Sequence, residues 1–116
     1  MKLASFIHDG RERFGIVKGS GVIPVGGGAD DRFRSLRDAL DAGGLNELTS
    51  VATTAEATLK VAEVKLLPPI PDPDKILCIG INYGEHAKET GSAIADNPSI
   101  FSRFTNTLVA PGDPIV

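Results

Sequence analysis

The feature that most constrains the fold is a proline-rich segment past the middle of the chain, Pro68-Pro-Ile-Pro-Asp-Pro-Asp74. Proline lacks a backbone N–H and fixes φ, so repeated prolines exclude a helix and an interior strand. They favour an extended connection instead. We therefore expect a boundary here, with an amino-terminal α+β domain at 1–67, a linker at 68–74 and the start of a second, incomplete domain at 75–116.

The first part of the chain begins with β-prone runs separated by turn residues. Asp9-Gly10 and Gly19-Ser20-Gly21 are typical of tight turns between antiparallel strands. Because Pro24 cannot donate a ladder hydrogen bond, we expect the third run to be short or to lie at a sheet edge. The pattern predicts an antiparallel meander of three strands, at Leu3 to Ile7, Phe14 to Val17 and Val22 to Val25.

Two helices and a last strand are predicted between the meander and the prolines. The first helix is expected to begin at Asp30 or Asp31 as its cap and to end at Gly43-Gly44. Its apolar stripe would consist of Phe33, Leu36 and Leu40. A second helix at Leu45 to Ala52 would place Leu45, Leu48 and Ala52 together, and a strand is expected at Val64 to Leu66.

After the linker, a strand and a short helix are predicted. The apolar run Ile76 to Ile79 is typical of a strand buried on both faces. Asn82 can cap the next helix, with Glu85 completing a capping box, and Gly91 supplies a left-handed stop. The sequence predicts a helix of about two turns at Tyr83 to Thr90.

The predicted helix carries His86 and Glu89 three residues apart, so that their side chains are neighbours. A carboxylate beside an imidazole orients the ring and raises its basicity, as a general base requires. Two other interpretations stand beside this one. The pair can be an ordinary exposed helix surface, or it can be two metal ligands, although the sequence has no second such pair.

Composition and charge exclude several classes of function. The net charge is −3 and the basic residues are scattered, so nucleic-acid binding is not expected. No apolar segment reaches membrane-spanning length and no signal peptide is evident, so we expect a cytoplasmic protein that does not bind membranes. The single cysteine, Cys78, lies in the predicted strand and is expected to pack in the core.

The order and spacing of five motifs resemble the fumarylacetoacetate hydrolase family. The strongest similarity runs from Leu66 to the end, while the preceding residues resemble the amino-terminal domain of bacterial members. The complete catalytic domain of this family is a mixed β-roll with few helices. The motifs are Leu66-Leu-Pro-Pro-Ile-Pro71, Lys75-Ile-Leu-Cys-Ile-Gly-Ile-Asn-Tyr83, Glu85-His-Ala-Lys-Glu-Thr-Gly91, Pro98-Ser-Ile-Phe-Ser-Arg-Phe104 and Pro111-Gly-Asp-Pro-Ile-Val116.

The resemblance implies an enzyme that hydrolyses a carbon–carbon bond in a 2-oxo acid, such as an acylpyruvate, with Mg²⁺ or Mn²⁺ as Lewis acid. His86 matches the family's general base and Glu89 its orienting carboxylate. Arg103 matches a cationic residue that binds substrate, and Tyr83 is a further candidate for substrate contact. An isomerase or decarboxylase of a dienoic 2-oxo acid is the alternative within the family, and a homodimer is expected.

One departure from the family pattern affects the metal site. The family's Glu-x-Glu ligand pair is absent from the sequence, and Asp72-Pro-Asp74 in the linker is better explained by turn formation. We therefore expect no metal ligands in this chain, which resembles the front part of a longer enzyme. A different class of hypothesis is a catalytically inactive fragment that associates through an exposed strand edge.

Overall fold

The computed structural model describes residues 1–80, 89, 91 and 97–115. It divides the chain into two compact units, one formed by Met1–Pro71 together with Val109–Val116 and the other by Asp72–Leu108. The break after Pro71 falls inside the predicted linker. The sequence did not indicate that residues after 108 return to the first unit. The fold is of the mixed α+β type predicted, with few helices and a curled sheet.

The predicted meander is confirmed. Strands β1 (Lys2–His8), β2 (Arg11–Lys18) and β3 (Gly21–Gly26) pair in antiparallel order. The β1–β2 connection is a two-residue turn at Asp9 and Gly10, both with positive φ (50° and 71°). Two consecutive left-handed residues match the twist of a hairpin, which explains why an Asp-Gly pair is found there.

Two short strands complete the first sheet and require it to curl. β4 (Leu59–Lys60) pairs with β3, and β5 (Lys65–Leu66) pairs with β1, giving the order β4-β3-β2-β1-β5. Four strand spacings in a flat sheet would separate the outer strands by about 19 Å. The connection between them contains the 3₁₀ turn Val61–Glu63, which rises only about 2 Å per residue. The outer strands must therefore approach each other across one face.

The expectation that Pro24 makes its strand short or places it at the sheet edge was wrong, since β3 has six residues and lies between β4 and β2. β4 pairs only with Gly21 and Val22, so the rest of β3 has no partner on that side among the described residues. Pro24 lies in this unpaired part and faces Gly15 of β2. A residue without an N–H is tolerated there because the ladder on that side has already ended.

Helices α1 (Leu36–Asp41) and α2 (Leu45–Thr54) cover one face of the sheet. Both helices contribute to a buried cluster made of Phe14, Phe33, Leu36, Ala39 and Leu48. The cluster draws its strand residue, Phe14, from the centre of the meander.

Details of the helix predictions were wrong. The cap of α1 is Ser35, whose side chain accepts a hydrogen bond from the Asp38 N–H at 3.0 Å, and not Asp30 or Asp31. Asp31 instead accepts from the Gly28 N–H, so it fastens the preceding loop. Leu40 is 41% exposed, because the short helix turns Leu36 and Ala39 toward the core.

Two further details of these helices differ from prediction. Phe33 belongs to the buried cluster but precedes the helix, since α1 begins only at Leu36. In α2, Leu48 is fully buried as expected, whereas Leu45 in the first turn is half exposed.

The second unit contains a two-stranded ribbon formed by β6 (Ile76–Gly80) and β7 (Ser99–Arg103). The predicted strand at Ile76 to Ile79 is therefore confirmed. Its burial on both faces was wrong for the structure described, in which Leu77 is 66% and Ile79 is 45% exposed. Cys78 is half-buried and is not a core residue. A ribbon of two strands has too little surface to bury both faces by itself.

Candidate functional site

The predicted catalytic helix is represented in the structure by Glu89 and Gly91. Glu89 is helical and exposed, and Gly91 has φ +65°, which confirms the left-handed residue expected at the end of this helix. His86 and Tyr83 lie outside the described residues, as do the predicted cap Asn82 and its partner Glu85. The mutual geometry of His86 and Glu89 therefore stays a prediction.

Arg103 is the last residue of β7 and lies opposite Ile76 of β6. Side chains alternate along a strand, so Arg103 shares one face of the ribbon with Phe101 and, across the pair, with Ile76 and Cys78. Its side chain is exposed. A guanidinium bordered by apolar side chains can bind a carboxylate while the neighbouring surface receives the carbon chain of the same molecule. The substrate role of Arg103 stays a prediction.

The other face of the ribbon is apolar and exposed. It carries Leu77, Ile79 and Ile100, which are 66%, 45% and 60% exposed. The sequence did not predict this surface, because a continuous apolar run is typical of a strand buried on both faces. The 3₁₀ turn Thr105–Thr107 follows β7, and the Thr105 hydroxyl donates to the Pro73 carbonyl oxygen at 3.4 Å.

The part of the chain that the structure describes contains no set of ligands for the Mg²⁺ or Mn²⁺ that the family resemblance implies. No group of three or more His, Cys, Asp or Glu side chains there could hold a metal ion. Asp72 and Asp74, the sequence's closest imitation of the family's acidic pair, belong to no such group. The residues described thus do not fit Mg²⁺ or Mn²⁺, and ligands in a longer enzyme stay a prediction.

Ionisable side chains also lie close together in the first unit, at the end of β1. His8 Nδ1 lies 3.3 Å from the Asp9 carboxylate. The pKa of Glu63 is lowered from its usual value, chiefly because its carboxylate accepts the Lys60 backbone N–H, with further contributions from the charges of Lys60 and His8. This arrangement stabilises the 3₁₀ turn, and no functional role was predicted for His8.

Ser5 is a buried polar residue for which no role was predicted from the sequence. It is 5% exposed, and its hydroxyl donates to the Pro69 carbonyl oxygen at 2.6 Å. A signal was present in the sequence, since a lone serine occurs within the β-prone run Leu3 to Ile7. In a strand, a serine at a core-facing position needs a hydrogen-bond partner.

Comparison with known proteins agrees with the resemblance found in the motifs. The family model described as "Rv2993c-like, N-terminal" matches residues 1–69. The oxaloacetate tautomerase FAHD2A of Bos taurus is 33% identical over 102 residues, covering 84% of this chain and 32% of that protein. Fahd2a of Rattus norvegicus, also named a mitochondrial oxaloacetate tautomerase, is 40% identical over 55 residues, covering 47% of this chain and 18% of that protein.

A crystal structure from Mycobacterium smegmatis, described under the name HpcE, superposes on this chain with a TM-score of 0.65. It is 28% identical, and the superposition covers 91% of this chain and 37% of the other. The chain therefore belongs to the fumarylacetoacetate hydrolase family, and its first 69 residues are the Rv2993c-like amino-terminal domain. Its relatives in this family are enzymes.

The chain spans a fifth to a third of the length of the curated relatives it matches, from 18% to 32%. Within the described residues, the structure contains no helix long and apolar enough to cross a membrane.

Proposed function

We propose that this chain is the amino-terminal domain and first catalytic segment of an enzyme that interconverts the keto and enol forms of a short 2-oxo dicarboxylic acid. The observation that carries the proposal is the match to relatives named oxaloacetate tautomerase, at 33% identity over 102 residues in the Bos taurus protein. This reaction is an isomerisation, although the isomerase predicted from the sequence as the alternative to hydrolysis acts on a dienoic 2-oxo acid.

The proposed chemistry needs one group that accepts and returns a proton. The carbon next to the ketone loses a proton to the His86 imidazole, and the electron pair of that C–H bond becomes a carbon–carbon double bond. The π pair of the C=O bond moves onto the ketone oxygen, which takes the proton back from the imidazolium, so the imidazole ends the cycle unchanged. Glu89 orients the ring and stabilises its protonated form. The described residues provide no ligand set for a metal, so no step here is assigned to one.

Arg103 is proposed to bind a carboxylate of the substrate. Its exposed guanidinium at the end of β7 offers paired donors that match a carboxylate. Phe101 on the same face would shield the carbon chain from water. Tyr83 is proposed to contribute a hydroxyl to the same substrate, a role inferred from its place in the motif.

Hydrolysis of a carbon–carbon bond in an acylpyruvate-like 2-oxo acid is the second candidate. The spacing of His86 and Glu89 favours hydrolysis, because the resemblance to hydrolytic members of the family implies that this pair activates the attacking water. A relative from Dictyostelium discoideum, 43% identical over 58 residues, is named a fumarylacetoacetate hydrolase domain-containing protein 2 homolog. Both candidates require His86 as a base and differ in whether water attacks a carbonyl.

The deciding experiment uses the full-length protein that contains this chain, supplied with Mg²⁺ or Mn²⁺. Decay of the enol absorbance of oxaloacetate reports tautomerisation, and loss of the β-dicarbonyl absorbance of an acylpyruvate reports hydrolysis. Pyruvate formed from oxaloacetate would reveal a decarboxylase. We expect accelerated enol decay without hydrolysis, and hydrolysis alone would refute the proposed reaction.

Variants test the assignment of residues. His86→Ala or Glu89→Gln should lower the rate of enol decay by about 10²-fold or more, since a positioned base contributes on that order. His8→Ala is the matched control, because His8 is the other histidine of the chain and lies in the first unit. Full activity in the His86 variant would show that the base lies elsewhere.

The oligomeric state, location and ligands of the protein are also proposals. We propose a homodimer with a cytoplasmic location, a small-molecule 2-oxo acid as its only ligand besides the metal, and no nucleic-acid or membrane partner. A polypeptide consisting of residues 1–116 alone is proposed to be inactive, since the Mg²⁺ or Mn²⁺ ligands are expected outside it. Metal-dependent turnover by that polypeptide would refute this.

A further inference from the structure

The proline-rich segment begins where the pairing of β5 with β1 has to stop. The pairs Phe6 with Leu66 and Ile7 with Lys65 define the register, and the Leu67 N–H extends it by donating to the Ser5 carbonyl oxygen at 2.9 Å. Continued in the same register, the next hydrogen-bonded partner would be Pro69, whose nitrogen carries no hydrogen. In this register no residue of the proline-rich segment opposite β1 can donate a ladder hydrogen bond beyond Leu67.

The Ser5 side chain holds the segment beyond that point. Its hydroxyl donates to the Pro69 carbonyl oxygen at 2.6 Å, and the residue is 5% exposed. Ser5 thus binds the departing chain twice, with its backbone oxygen at Leu67 and its side chain at Pro69. Ile70 then packs against the buried cluster of the first unit.

The chain belongs to the first unit again from Val109 onward. Ala110 is 7% exposed and belongs to the segment Val109–Val116 of the first unit. The residues between these two points, Asp72–Leu108, include His86, Glu89 and Arg103. Both ends of the candidate catalytic segment are therefore attached within the amino-terminal unit.

We propose that Ser5 is a positioning residue, which fixes the point where the chain leaves the amino-terminal unit and so orders the segment that carries the candidate catalytic side chains. The effect of Ser5 on turnover rests on the proposed function. The effect of Ser5 on the order of the segment is independent of it. Through Ser5 the amino-terminal domain would affect catalysis without contacting the substrate.

The test compares Ser5→Ala with Ile23→Val in the full-length enzyme. Ile23 is a buried strand residue, 4% exposed, whose truncation weakens the same unit, and it is not one of the cluster residues against which Ile70 packs. Hydrogen exchange is measured at the amides of Leu67 and Ile70 and along β6 and β7, because local opening raises exchange only in the segment released. Ser5→Ala should raise exchange at all of these amides, whereas Ile23→Val should leave those of β6 and β7 unchanged.

Turnover provides the second measurement. Ser5→Ala should lower kcat by about 10-fold or more with KM within about twofold, since a small misplacement of reacting groups costs on the order of 10²-fold. Ser5→Thr keeps the hydroxyl and should restore kcat. Equal exchange along β6 and β7 in the Ala and Val variants overturns the proposal, as does unchanged kcat with raised exchange. If the parent enzyme has no activity on 2-oxo acids, the proposed function fails and the exchange comparison alone decides the role of Ser5.

Discussion

Replacing Gly15 with alanine tests the closest approach of two strands in the sheet. Gly15 lies in β2 opposite Pro24 of β3, next to a register shift between Phe14 and Gly15. A Cβ at this position would overlap the Ile23 carbonyl oxygen and would lie 3.0 Å from its carbon and 3.2 Å from the Pro24 Cα. All three atoms are backbone, so no side-chain rotation can relieve the overlap, and β2 and β3 must separate locally.

The cost follows from the interactions that this separation weakens. Ile16 pairs with Ile23 beside the overlap, and these side chains are 2% and 4% exposed. Loss of two or three strand hydrogen bonds at about 1 kcal/mol each gives a destabilisation of roughly 3 kcal/mol. Overpacking of a buried position costs a similar amount, about 1–3 kcal/mol. For a domain of this size, 3 kcal/mol corresponds to a fall in Tm of roughly 12–24 °C.

Thermal and urea unfolding followed by circular dichroism would measure this loss. Gly10→Ala is the matched control, because a Cβ at Gly10 meets nothing within 4 Å while φ is +71°. That variant should lose only the cost of a left-handed alanine, about 1–2 kcal/mol. If Gly15→Ala is no less stable than Gly10→Ala, the close approach of β2 and β3 is wrong.

Three further predictions concern separate parts of the molecule. Leu48→Ala should lower the free energy of unfolding by about 2–5 kcal/mol in urea titrations, because Leu48 is fully buried, and a loss below about 1 kcal/mol would contradict its place in the core. Glu63→Gln should be less stable than the parent at neutral pH, with the difference disappearing as pH falls below 4.5, since the lowered pKa of Glu63 stabilises the fold only while the carboxylate is charged; a difference constant with pH would refute this. In a polypeptide of residues 1–116, Ile100→Lys should reduce self-association measured by sedimentation, because Ile100 is 60% exposed on the apolar ribbon face, and unchanged association would place the contact elsewhere.

The meander was predictable because its signals are local. Asp9 and Gly10 adopt the conformations that their residue types favour, so the turn between β1 and β2 can be read from two neighbouring residues. The start of α1 was not predictable in the same way. Asp30, Asp31 and Ser35 are all good caps, and the packing of Phe33 into the cluster decides that the helix begins only after Ser35.

The strand at β6 was predicted correctly and its burial was not, for a related reason. A run of apolar residues indicates that a strand favours burial, but the surface that covers it comes from elsewhere in a protein. In the described structure, β7 supplies hydrogen bonds along one edge of β6 and covers neither of its faces. Leu77 and Ile79 are exposed as a consequence.

The candidate site shows a different limit. His86 and Glu89 were identified by their spacing and their motif, since a base and its orienting carboxylate must be neighbours on one helix. Ser5 carries no such motif, because its role depends on a register that joins residues 64 positions apart. The contact between Ser5 and Pro69 depends on the register of β5 on β1 and on the position where the prolines begin.

The prolines that separate the two units also create the need for Ser5. Pro69 has a carbonyl oxygen but no N–H, so it cannot donate to β1, and its carbonyl oxygen needs a donor in a partly buried place. A serine two residues from Leu3 supplies that donor from its side chain, while an alanine in its place would fit the strand equally well and leave the acceptor unpaired. A linker of this composition would be expected to detach the second unit from the first. The hydrogen bond at Ser5 makes its first residues part of the amino-terminal domain, so that the extended connection starts only after Pro71.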